Sequence, residues 1–130
     1  MSLTHVNPAT LHTNPAFSQG VRIDGGTLLV VGGQNGTDAD GEIVSDDLGE
    51  QTVQAFRNVI AVLAEAGANQ SHVAKLNIYL QGGGDVTAGY QAAAEVWGQY
   101  PTAITVLQVA GFARPEALVE IDALAVLMPS

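Results

Sequence analysis

The chain contains no cysteine and few basic residues, and these two shortages exclude several classes of protein. Without cysteine it can form neither disulfides nor a thiolate nucleophile. Lys and Arg total 4 against 13 Asp and Glu, which gives a formal net charge of -9. Nucleic acids and anionic membrane surfaces both require clustered cations. The sequence therefore predicts neither a nucleic-acid partner nor a membrane partner.

Long apolar runs are also missing. No stretch approaches the roughly 20 residues that a membrane-spanning helix needs, and the first residues lack the basic patch and apolar run of a secretory signal. Together with the absence of disulfides, this favours a protein that stays in the cytoplasm. The 130 residues, 47% of them hydrophobic, suit one domain over residues 1–130 with one buried core.

The periodicity of apolar residues predicts an α+β domain. Asp47 and Glu50 have the spacing of a capping box, and the helix that follows should end at Gly67. A second, alanine-rich helix is predicted from Asp85 to about Tyr100. Alternating or continuous apolar segments predict strands at residues 16–24, 27–31, 73–80, 103–109 and 118–127.

The last predicted strand shows why such a domain needs a partner. Val119 and Ile121 point to one face, whereas Glu120, Asp122 and Leu124 point to the other. Two helices can cover only one face of a sheet of this size. The other face also carries apolar residues, so the sequence predicts self-association through sheet faces.

Few residues point to chemistry. The three histidines lack partners at metal-ligand spacing, and the glycine-rich loops lack the Lys-Ser/Thr of a phosphate-binding loop, so no metal and no cofactor are predicted. Gly32 and Gly33 either let a ligand approach the backbone or form a bulge. Glu120 and Asp122 lie on a strand rich in aliphatic residues. They are either a general acid or base, or ordinary acids on a partly solvated face.

Several short motifs, taken in order, resemble the RidA/YjgF family of small trimeric proteins. The resemblance covers about residues 14–127. It is carried by NPAFSQ at 14–19, VGGQ at 31–34, EQT at 50–52, AEAG at 64–67, HVAKLNIYL at 72–80, QVA at 108–110 and LVEIDA at 118–123.

The resemblance implies a chorismate-mutase-like α+β fold, with one mixed sheet, two helices on one face and a homotrimer with clefts between subunits. Active members of the family hydrolyse imines and enamines such as 2-aminoacrylate to keto acids and ammonia, without a cofactor. An arginine holds the substrate carboxylate and a glutamate activates water. In this chain Glu120 stands at the glutamate position, and Gly32 and Gly33 supply the strand-end backbone groups.

The chain departs from the family pattern at other site positions. Ile104 stands where deaminases have the arginine, Phe17 where they have a tyrosine, and Tyr90 where they often have an asparagine. With Val106 nearby, the resemblance implies a more apolar cleft that lacks the two charge-assisted hydrogen bonds of a guanidinium. Standard 2-aminoacrylate deaminase activity is therefore not expected.

Three hypotheses remain open. The chain binds a small metabolite and hydrolyses a C=N bond with Glu120; or it is a non-catalytic binding or regulatory trimer; or it is an ordinary deaminase in which Arg22 or Arg114 replaces the missing arginine. A nuclease or translation inhibitor, a fourth reading, is disfavoured by the net charge of -9.

Overall fold

A computed structural model of the chain describes residues 3–127. These residues form six strands, two α-helices and one short 3-10 helix at Gln70–His72. The elements in chain order are β1 (Leu3–Val6), β2 (Gly20–Ile23), β3 (Thr27–Gln34), α1 (Leu48–Glu65), β4 (Val73–Gln81), α2 (Thr87–Trp97), β5 (Ala103–Val109) and β6 (Val119–Leu127).

Four strands form a mixed sheet in the order β3-β6-β4-β5. β4 and β5 run parallel, and the other two pairs are antiparallel. The parallel pair needs a crossover, and α2 supplies it. β1 and β2 form a separate antiparallel pair. This arrangement confirms the predicted α+β class, with one mixed sheet and two helices.

The first helix forms where its capping residues predict. The Asp47 carboxylate accepts a hydrogen bond from the Glu50 backbone N–H at 2.9 Å, so one free amide of the first turn is satisfied. At the other end Gly67 has φ +81, a conformation that side chains with a Cβ rarely adopt. The α1 side chains of Phe56, Val59 and Leu63 are buried in the main core.

The second helix differs from its prediction at both ends. It begins at Thr87, after Val86, and Asp85 lies one residue further out, where its carboxylate accepts the Thr87 N–H at 2.9 Å. It ends at Trp97 rather than near Tyr100, because Gly98 has φ +85 and leaves the helical conformation.

The prediction of a strand over residues 16–24 is too long, since the strand covers only Gly20–Ile23 and Phe17 forms an isolated bridge with Asn14. Its partner Leu3–Val6 was not predicted at all. In that strand only Leu3 is buried, where it packs against Ala74 and Val126 in a small second core. A strand with a single buried side chain has no alternating pattern to detect.

The sheet face opposite the helices, here called the open face, carries both apolar and polar groups. Leu28 is 58% exposed and Val30 is 66% exposed, and Leu107 and Leu124 are exposed as well. Between them the Asn77 amide donates to the Asp122 carboxylate at 2.7 Å, and the Lys75 ammonium donates to the Thr105 hydroxyl at 2.6 Å. The residues of this face alternate with core residues, as the sequence predicts.

Neither α1 nor α2 combines the length and apolar character needed to cross a bilayer, and this holds for every helix within residues 3–127.

Candidate functional site

The structure divides the predicted site residues between two separate places. One group lines a cavity between α2 and the sheet, on the helix-covered side, and consists of Phe17, Tyr90, Ile104 and Val106. The other group lies where β3 meets β6, and consists of Gly32, Gly33 and Glu120. Strand register explains the division. Ile104 pairs with the buried Leu76, whereas Glu120 alternates with the buried Ile121 and so points to the open face.

The first place, here called the apolar cavity, has a volume of about 640 Å³. Its floor is formed by the buried side chains of Phe56, Leu76 and Trp97. The Phe56 and Trp97 rings lie 5.3 Å apart between centroids, with an interplanar angle of 44°. A volume between roughly 300 and 1,000 Å³ is typical of small-molecule sites. The floor is part of the core, so its shape is fixed by packing.

The walls of the apolar cavity come from the N-terminal segment, α2 and β5. None of the described residues that line it carries a charge. Tyr90 and Gln99 contribute a hydroxyl and an amide, and both residues are exposed, which places their polar groups at the rim. The remaining lining residues are Pro15, Ala16, Phe17, Ile78, Ala93, Ala94, Gly98, Ile104 and Val106.

The second place is organised around the Glu120 carboxylate. The Asn35 side-chain amide donates to Glu120 Oε1 at 3.2 Å and to the Val119 backbone oxygen at 2.9 Å. Asn58 of α1 in turn donates to the Asn35 backbone oxygen at 3.1 Å, and Gln54 donates to the Asn58 side-chain oxygen at 2.9 Å. Glu120 is therefore oriented by a chain of amides that begins on the first helix. Sequence reasoning missed Asn35, because only the fold brings it to β6.

The two strand-end glycines differ in what surrounds them. A Cβ on Gly33 would overlap the Glu120 side chain, with the carboxyl carbon at 2.9 Å, whereas a Cβ on Gly32 would meet nothing within 4 Å. The group that approaches the backbone at Gly33 is thus Glu120 itself. Open space lies only at Gly32, so the hypothesis that a ligand approaches the backbone applies there.

Tyr79 is a further polar group of the open face near Glu120. It lies opposite Glu120 in the β4–β6 register. Burial raises the pKa of the Tyr79 hydroxyl above its ordinary value, and the negative charge of Asp122, a hydrogen bond to it and the charge of Glu120 act in the same direction. The hydroxyl therefore stays protonated at neutral pH and remains a hydrogen-bond donor. The alternating pattern of β4 predicted the face on which Tyr79 lies, but it did not predict that Glu120 and Asp122 lie beside it.

The two arginines considered as replacements are engaged elsewhere in the chain. Arg22 pairs with Asp24 at 2.9 Å. Arg114 pairs with Glu116 at 3.1 Å and also donates to the Gly41 backbone oxygen. Over residues 3–127 neither guanidinium forms an ion pair with Glu120.

Two of the three histidines hold local structure. His72 Nδ1 accepts a hydrogen bond from the Asn69 backbone at 3.0 Å, and His5 Nδ1 lies 2.7 Å from the Ser18 hydroxyl. Within the part of the chain that the structure describes, no three His, Asp or Glu side chains are grouped as metal ligands.

A mixed sheet with two helices on one face, and a cavity of small-molecule size beneath the second helix, define a small α+β protein with an open-mouthed apolar cavity. Residues 8–127 match the sequence profile of the family described as Endoribonuclease L-PSP. The chain therefore belongs to this family, whose members include proteins named for RutC, Rid and YjgF. This confirms the family resemblance of the sequence.

Curated relatives cover most of the chain. The RutC family protein PYRAB12510 of Pyrococcus abyssi is 32% identical over 110 residues, which is 84% of each chain. Protein DfrA of Myxococcus xanthus is 36% identical over 115 residues, covering 85% of this chain and 84% of the relative.

Solved structures agree with the fold. The protein YyfB of Yersinia pestis, described as a protein of unknown function of the conserved Rid family, is 33% identical with a TM-score of 0.87. The match covers 98% of this chain and 100% of that one. Rv2704 of Mycobacterium tuberculosis is 28% identical with a TM-score of 0.65, covering 97% of this chain and 100% of that one.

Proposed function

We propose that the protein is a homotrimer that binds a small, uncharged or weakly charged metabolite in a cleft between subunits and hydrolyses a C=N bond with Glu120. The observation that carries the proposal is the division of the site. The apolar cavity and Glu120 lie on opposite sides of one sheet. A reaction that uses both therefore needs the cavity of one chain and the Glu120 of another.

The open face supports the assembly. Leu28, Val30, Leu107 and Leu124 expose apolar surface that the helices do not cover. Contact between copies removes this surface from water and stabilises the assembly in proportion to the area buried. β5, whose Ile104 and Val106 line the cavity, is an edge strand of the sheet. The proposal therefore requires the β5 edge of one chain to lie beside the β3–β6 strand ends of its neighbour.

The proposed reaction needs only groups that the chain supplies. The Glu120 carboxylate takes a proton from a water molecule as its oxygen attacks the imine carbon. Glu120 passes this proton to the imine nitrogen, which gives a carbinolamine. The carboxylate then moves the hydroxyl proton to the same nitrogen, so that the C–N bond breaks as the carbonyl forms and the nitrogen leaves as ammonia or an amine. Asn35 holds Glu120 Oε1 at 3.2 Å, and Oε2, which packs against Gly33, is the oxygen that would take the water proton.

Ile104 sets the substrate range in this proposal. It lines the apolar cavity at the position where the family resemblance implies an arginine. Each hydrogen bond to a charged group is worth about 1.5–3 kcal/mol, so the missing guanidinium weakens carboxylate binding at least tenfold. A substrate carboxylate beside Glu120, without a cation, would also be repelled.

A second candidate is a binding or regulatory trimer without catalysis, and one observation favours it. Glu120 accepts a hydrogen bond from Asn35 and packs over Gly33. A carboxylate held in this way is also what a purely structural role requires.

The family description names an endoribonuclease, but the charge of this chain argues against RNA as a substrate. The net charge of -9 repels phosphate, and Arg22 and Arg114 are both paired with acids.

Ammonia release from freshly generated imines tests the proposal. The panel contains 2-aminoacrylate and uncharged imines, and the variants are Glu120→Gln and its matched control Asp122→Asn, with light scattering to verify the trimer. Turnover of uncharged imines that falls roughly 100-fold or more in Glu120→Gln alone supports general acid–base catalysis. Turnover of 2-aminoacrylate by the wild type supports the substitute-arginine hypothesis, and no turnover by an intact trimer supports the binding protein.

A further inference from the structure

We infer that the ligand carries a large uncharged apolar group, the size of a six-membered ring or larger, which fills the apolar cavity while its polar end remains at the rim. This inference rests on the proposed function and specifies its ligand class. A volume of about 640 Å³ is far more than a three-carbon imine needs. The size of the cavity therefore favours ligands that carry a large apolar group.

The distribution of polarity in the cavity sets the orientation. The deepest lining residues, Phe56, Leu76 and Trp97, present hydrocarbon and aromatic rings. The hydrogen-bonding side chains Tyr90 and Gln99 are exposed at the rim. The Trp97 indole N–H is the one polar side-chain group of the three deepest residues, so a charged or strongly polar ligand end on this floor would meet at most one donor, and its burial there would be costly. The apolar end consequently enters first, and the reacting carbon stays near the mouth.

The absence of positive charge in the cavity determines which ligands it excludes. The lining residues described in the structure carry no cation to neutralise a carboxylate, and the whole chain bears a net charge of -9. A ring-bearing ketone and a ring-bearing carboxylate of the same size should therefore bind very differently. The cavity discriminates by size and by charge at the same time.

The test uses the only tryptophan of the chain, Trp97, whose ring forms part of the floor. The wild-type protein is titrated with cyclohexyl methyl ketone, with cyclohexanecarboxylate as its charged counterpart and with acetone as its small counterpart, while Trp97 emission is recorded. The ketone resembles the carbonyl product of the proposed hydrolysis. We expect saturable binding of the ring ketone, at least roughly tenfold tighter than either counterpart.

A matched pair of variants locates the binding. Ala94→Phe fills the cavity from its rim, whereas Ala88→Phe makes the same change at an exposed position of the same helix that does not line the cavity. Ala94→Phe should weaken the ring ketone roughly tenfold and Ala88→Phe should leave it unchanged. Circular dichroism of both variants checks that α2 is retained.

The outcomes separate this inference from the proposed function. Ring-ketone binding in a protein that hydrolyses no imine sustains the ligand class and removes the catalysis. Turnover of small imines without any preference for a ring sustains the catalysis and removes the proposed ligand class. Equal affinity for the ketone and the carboxylate, or a Trp97 emission that none of the three probes changes, overturns the inference.

Discussion

The apolar cavity and the surroundings of Glu120 lie on the two sides of one sheet and are built on different principles. The cavity shares its floor with the hydrophobic core, so its shape is held by packing and its lining is uncharged. Glu120 is held by directed hydrogen bonds from Asn35 and by the absence of a side chain at Gly33. Packing sets the size of the cavity, and hydrogen bonds set the position of the Glu120 carboxylate. Each region therefore has its own sensitivity to mutation.

The largest expected effect comes from the cavity floor. Phe56 is buried between the core and the cavity, so Phe56→Ala should lower the free energy of unfolding by about 3–5 kcal/mol. Phe17→Ala, at the half-buried wall of the same cavity, should cost clearly less. Urea denaturation of both variants measures the difference. Similar losses would show that the floor is no more tightly packed than the wall.

The next effect concerns the glycine beneath Glu120. Gly33→Ala forces the Glu120 side chain to move, because the new methyl group would overlap it, and overpacking of this kind costs about 1–3 kcal/mol. Gly32→Ala meets open space and should be neutral or slightly stabilising. Thermal unfolding of the pair measures the contrast, and equal midpoints would contradict the close packing of Glu120 over β3.

A smaller effect is expected for the indole nitrogen of the floor. Within residues 3–127, Trp97 Nε1 is the buried side-chain atom without a hydrogen-bond partner. Trp97→Phe removes an unsatisfied donor together with part of the ring, and should cost less than the 3–5 kcal/mol of a Trp→Ala truncation. Chemical denaturation followed by circular dichroism measures this loss. A loss as large as that of Trp97→Ala would mean that the N–H group is satisfied in solution.

The smallest effect is a pH dependence at the start of α2, the helix that forms one wall of the cavity. The Thr87 backbone N–H, with its side chain, holds the pKa of Asp85 below its ordinary value. The folded pKa lies below the unfolded one, so this contribution is complete above the unfolded pKa and disappears as pH falls through the folded pKa. Asp85→Ala should be less stable than the wild type at pH 7, and the gap should shrink as pH falls below the ordinary Asp pKa of about 3.9.

Glu95→Ala, on the same helix but away from its N-terminus, is the matched control. Unfolding midpoints measured from pH 7 to pH 2 should show the closing gap for Asp85→Ala only. A gap of constant size over this range would show that the contribution of Asp85 to stability does not depend on its charge.

Local signals in the sequence predicted much of the fold. Asp47 and Gly67 mark the two ends of α1 because capping depends on nearby residues. The strand over residues 103–109 was predicted with its correct limits, because most of its residues are aliphatic. β1 escaped detection because its stability comes from pairing with β2, which sequence periodicity does not record.

The site residues stay predictions, and their arrangement could not be predicted from the sequence. Family resemblance suggested Glu120 and Ile104 as candidate site positions, and their placement on opposite sides of the sheet depends on strand register, a tertiary property. The hydrogen bond from Asn35 to Glu120 joins residues 85 positions apart. Contacts of this kind leave no local pattern in the sequence.

The measurement that tests the central claim most directly is subunit complementation. Ala94→Phe removes the cavity of one chain, and Glu120→Gln removes the carboxylate of another. If each cleft combines the cavity of one chain with the Glu120 of its neighbour, refolding the two inactive variants together in equal amounts should restore about a quarter of the wild-type turnover of uncharged imines. Mixed trimers that form but show no more activity than the separate variants would contradict a site shared between chains.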